Sequence, residues 1–157
     1  KPNKTMKQLN KPTDNLGGLL SIWAVPPSDI TISFNTANFR TTANIIEMYC
    51  SPGSLSFSEK ESLETCGTVY KTEINGFIPK DSPEVLAIVN DMSRRKWVII
   101  LLDQNEYYKV AGTPEIPLRV SFDLDTGSDT PDRSGHTVSF YGTQLSKAKF
   151  IADPFSE

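Results

Sequence analysis

The stretch "WVIILLDQNEYYKVAG", Trp97 to Gly112, decides what kind of fold this chain adopts. It opens on "WVIILL", the longest apolar run in the sequence. That run is far short of the roughly 18 apolar residues a membrane-crossing helix needs. It does not alternate, so the expectation is a central strand buried on both faces. The polar "DQNE" then makes a short turn, and "YYKVAG" returns the chain. Spacing and composition together give a β-hairpin.

Upstream, "DSPEVLAIVNDMSRRK" carries helix-start chemistry: Ser82 as N-cap, Pro83 at the first helical position and Glu84 in the first turn. Val85, Ile88, Val89 and Met92 recur at helical spacing and form one stripe. Arg94, Arg95 and Lys96 fall where positive charge favours the helix C-terminus, and their ordinary role is that plus solvation. Further strands are expected at "LLSIWAV", at the alternating "DITISF", at "TANIIEMYCS" and at "TVYKTEINGFIP", where Gly76 marks a bulge. "LRVSFDL", "HTVSFYG" and "AKFIA" complete the set. The expected fold is mainly β: a sandwich or barrel of about eight or nine strands with one α-helix packed against it. Residues 1–15 hold four Lys, two Pro and three Asn, and are expected to be a loose, flexible N-terminal arm; residues 16–157 form a single β-rich domain.

Composition narrows the function classes. Sixteen basic and 19 acidic residues leave a net charge of −3, too mild for a nucleic-acid or membrane-surface partner. Cys50 and Cys66 lack Cys-x-x-Cys spacing; two reduced thiols are expected, with one disulfide as the alternative.

The segment "DTGSDTPDRSGHTVSFYG", Asp125 to Gly142, concentrates polar chemistry: with Asp123 it brings four Asp, one Arg and the only His of the chain together. An EF-hand loop counted from Asp123 fails, because its fifth position falls on Gly127 and its twelfth, which needs a bidentate Glu, on Ser134. Asp123 and Asp125 alternate with Phe122 and Leu124 and are expected to face away from the core. Asx-turns explain the Asp, Gly and Ser of the loop without an ion. His136 follows Gly135 at a strand entry, with no nucleophile motif nearby, and is expected to hydrogen-bond at a strand edge. "NLGGLL" lacks the glycine spacing and the Lys of a phosphate loop. No catalytic residue, metal site or cofactor is expected.

The order of these features resembles a known class. "GG" at Gly17–Gly18 precedes the first strand, Asp103 sits in the hairpin turn, Gly112 precedes a Pro-Leu strand entry, and "DRSGHTVSFYG" forms the last hairpin. Together they resemble structural proteins of phage and prophage regions in Bacteroidetes-type bacteria, similar to tail-tube or tail-associated subunits. The resemblance implies a non-enzymatic virion subunit, assembled in the bacterial cytoplasm into rings or tubes with copies of itself and with other phage structural proteins. It makes the N-terminal arm and the 126–134 loop candidates for assembly contacts, with Asp129, Asp132 and Arg133 as the residues in question. The alternative is a secreted or surface-anchored β-sandwich that binds carbohydrate or protein through Trp23, Tyr107 and Tyr108.

Overall fold

The computed structural model describes residues 17–129 and 134–155. The N-terminal arm, Asp132 and Arg133 lie outside the described residues. In chain order the strands are β1 (Leu19–Val25), β2 (Ile30–Ser33), β3 (Thr36–Phe39), β4 (Ile46–Met48), β5 (Ser56–Glu64) and β6 (Gly67–Pro79). The helix α1 (Pro83–Ser93) follows, then β7 (Val98–Asp103), β8 (Tyr108–Ala111), β9 (Arg119–Asp125), β10 (Gly135–Gln144) and β11 (Lys149–Ile151). One sheet runs β11-β8-β7-β1-β4, a second β5-β6-β10-β9, and β2-β3 is a separate ribbon. All pairings between these strands are antiparallel. The sheets stay open, so this is a sandwich rather than a barrel.

The apolar run at β7 explains the layering. Ile99 and Leu101 enter the core between the two large sheets, beside Ile22, Ile74, Val138 and Phe140. Val98 and Ile100 enter a second core on the opposite face, with Val25, Val110 and the ribbon residues Ile30 and Ala37. The strand is therefore central and buried on both faces, as its unbroken hydrophobicity requires. β1 lies beside it in register, Ile22 opposite Leu101 and Trp23 opposite Ile100. At the far end of β7 the Asp103 carboxylate accepts the N–H groups of Asn105 and Tyr107, each at 2.9 Å, and so closes the hairpin turn into β8.

The helix begins as its sequence dictates: Ser82 Oγ accepts the Val85 N–H at 3.3 Å, with Pro83 in the first turn. Only Val89 and Met92 of the apolar stripe are buried; Val85 is half-buried and Ile88 is 48% exposed. The helix lies over the rim of the sandwich, which covers a narrow strip of it. The Trp97 indole N–H donates to the Met92 carbonyl at 3.0 Å and fixes the helix C-terminus to the start of β7. Arg95 pairs with Asp91 one turn back at 3.3 Å, both on the surface.

Several expectations change. There are eleven strands among the described residues, because β3 and β5 were not read from the sequence. "TANIIEMYCS" yields only the three residues of β4. Gly76 marks no bulge: β6 pairs with β10 without a break through Gly76 opposite Val138. A Cβ there would come within 2.8 Å of Leu55 Cδ2 and 3.0 Å of Cys50 Sγ, so a larger residue would have to push these side chains aside. "DITISF" stops at Ser33, and Phe34 turns outward into the ribbon's hairpin turn.

Candidate assembly surface

His136 is buried inside β10, an interior strand flanked by β6 and β9, and not at a strand edge as expected. Its Nε2 lies 3.1 Å from Asp81 Oδ1, and the edge of Phe122 packs against the ring. Asp81 immediately precedes the helix cap, so the pair ties the start of α1 to the second sheet. No Ser, Thr or Cys side chain among the described residues hydrogen-bonds to His136, and the pair serves as a clamp.

Asp123 and Asp125 are exposed on β9. Asp125 Oδ1 accepts the Gly127 N–H at 2.9 Å, which is an Asx-turn of the expected kind. Among the described residues no three His, Cys, Asp or Glu side chains converge as metal ligands would. Asp129 is exposed at the edge of the described loop. Cys50 is buried, Cys66 is exposed at the β5–β6 hairpin, and both thiols are free.

The three aromatic residues expected to share a binding face do not. Trp23 and Tyr108 pack at 6.1 Å on the ribbon side of the first sheet, and Phe155 covers them, 4.8 Å from Trp23. Tyr107 packs instead against Phe150 at 5.7 Å, near Lys109, whose Nζ lies 4.5 Å from the Phe150 centroid.

The second sheet has a different character. Opposite residues of paired strands share a face. Val138 and Phe140 enter the core, so Ser139 and Tyr141 project outward. Register then defines two outward rows across all four strands: Ser56, Asn75, Ser139, Ser121 and Ser58, Glu73, Tyr141, Arg119. These residues are exposed or half-exposed, and Asn75 donates to Glu73 at 3.1 Å within the surface. The face is broad, polar and uncovered by any described element. Its outermost strands, β5 and β9, each pair on one side only. Comparison with family models, with curated proteins and with solved structures finds no match for the chain.

An open sheet leaves two edge strands, whose unpaired N–H and C=O rows are able to recruit other strands. β5 carries Glu59, Lys60, Glu61 and Glu64, and β9 carries Arg119, Asp123 and Asp125. Such charges discourage indiscriminate edge-to-edge pairing. The resemblance pointed toward the 126–134 loop as a contact region; the open edges of the second sheet follow only from the strand order. No helix among the described residues is long and apolar enough to cross a membrane.

Proposed function

We propose that this chain is a non-enzymatic structural subunit of a phage-like tail, tail-tube-like, which assembles into rings or tubes in the virion. The observation that carries this reading is the second sheet, with both edges unpaired, its outer face polar, and its inner face packed on the core through Ile74, Val138 and Phe140. Pairing β5 of one copy with β9 of the next satisfies both edges at once. Repeated around a closed ring it leaves no edge in the second sheet, and it sets every polar face on the same side. The order of turns and strands that resembles tail-tube subunits supports the same reading. Other copies of the chain and other phage structural proteins are its partners, and it uses no cofactor.

The test is solution mass across a concentration series, with negative-stain imaging. Rings or tubes at high concentration are expected. Removing residues 1–15 should weaken assembly and leave the melting temperature nearly unchanged, since that polar arm has little apolar content to bury in its own domain. A chain that remains monomeric at millimolar concentration and binds glycans through Trp23 or Tyr107 would replace this reading with a surface-binding module.

A further inference from the structure

Phe34 sits in the two-residue turn of the β2–β3 ribbon, between the paired residues Ser33 and Thr36. Its side chain is 93% exposed, and its backbone is left-handed, φ +51°. Asn or Gly is the ordinary occupant of such a position; a bulky side chain there is a genuine outlier. The residue is thus unfavourable twice over for the isolated chain, as a ring in water and as a strained turn. Strain of this kind persists where the surroundings enforce it and often marks a functional position. The support is firm: Ile30 and Ala37 are buried beneath the ribbon, and the Asn35 carbonyl accepts the Ala152 N–H at 2.8 Å.

Elsewhere on the molecule an apolar groove of about 230 Å³ runs between α1 and β4, walled by Ile46, Met48, Val85, Ile88, Val89 and Phe122. A cavity of roughly 150 Å³ takes up a benzene ring, so a phenyl group fits. Glu47 is the one charged residue on the groove wall. Ser33, Asn35 and Thr36 beside the ring are neutral, so closing the contact sets no like charges against each other.

We propose that Phe34 of one copy plugs the α1–β4 groove of the next copy. Plug and socket are different surfaces, so a contact made once per junction is head-to-tail and is able to propagate into rings or tubes. One aromatic side chain buries roughly 150–250 Å², whereas a stable pairwise interface needs roughly 800 Å² from each partner. The plug is therefore too small to hold two chains alone, and works where it recurs at every junction beside other contacts. The proposal rests on the assembly reading above and names one of its contacts.

Phe34→Asn removes the ring and suits the turn; Ile88→Asp places charge in the groove at a half-exposed position, and Ile88→Ser replaces it if the Asp variant melts early. Phe34→Asn should melt at or above the wild-type temperature, and yet need about tenfold or more protein to assemble. The groove variant should show the same assembly defect. Mixed together, the first supplies intact sockets and the second intact plugs, so associated species should reappear at a concentration where neither variant alone forms them. A wild-type chain that assembles while Phe34→Asn assembles equally well, or a mixture that recovers nothing, overturns the plug and leaves the assembly reading standing. A wild-type chain that is monomeric at millimolar concentration overturns both.

Discussion

Ile100 faces the ribbon-side core and is fully buried, on a central strand that has a packed layer on either side. An Asp there would be an unpaired carboxylate with no water and no cation, a penalty of several kcal/mol, comparable to the whole stability of a domain. Ile100→Asp is expected to yield no cooperative melting transition by circular dichroism. Cys50 makes a subtler case. Burial pushes its thiol up from 9.0 to about 11, offset in part by the Phe77 backbone. The folded state then holds a proton that the unfolded chain has released, so stability falls as pH rises from the unfolded value toward the folded one. The wild type should lose stability between about pH 9 and pH 11 relative to Cys50→Ala, by roughly 1.4 kcal/mol per pH unit, in paired denaturant titrations. In the native state a thiol reagent near pH 8 should modify Cys66 quickly and Cys50 only on unfolding.

Local chemistry decided which elements could be read in advance. The helix declared itself because its cap, its first-turn Pro and its stripe are neighbours in the chain; Ser82→Ala should cost about 1 kcal/mol in chemical denaturation, and an unchanged midpoint would remove the cap from the account. β7 was legible because six adjacent residues carry the signal. β5 was not: it is an edge strand in which Phe57 is followed by the charged Glu59, Lys60 and Glu61, and its strand identity comes from β6 beside it. β3, "TANF", is likewise a strand because β2 pairs with it. Gly76 was misread for a related reason, since the side chains that crowd it come from Cys50 and Leu55, more than twenty residues away in sequence. For the acidic turn after β9, the Asx geometry at Asp125 accounts for its composition, and millimolar calcium should leave the melting temperature unchanged. A rise of many degrees would promote Asp123, Asp125 and Asp129 to ligands.

At the scale of the molecule, the fold class was legible and the sheet edges were not. An open edge is defined by which strand fails to find a neighbour, and that follows from the order of all the strands at once. The outward rows of Ser, Asn and Tyr141 carry no local mark that separates them from an ordinary wetted face. Phe34 was visible as a residue, but its alternation with Ile30 and Ile32 pointed inward, until the turn at Ser33 reversed it. The pairing of β1 with β7 has a kinetic consequence. It joins residues 19–25 to residues 98–103, so nearly the whole intervening chain must be synthesised before the first sheet can gain its central ladder. The ribbon and the β5–β6 hairpin close locally and can form early; β1 must wait. Non-local pairing of this kind slows the search, and refolding is expected on the order of milliseconds to seconds, with Trp97 emission changing in the slow step as its indole is buried in the core between the sheets. During that wait the apolar β1 segment is exposed on a nascent chain, which makes the ribosome-bound intermediate, more than the folded domain, the species that has to be shielded from its own kind.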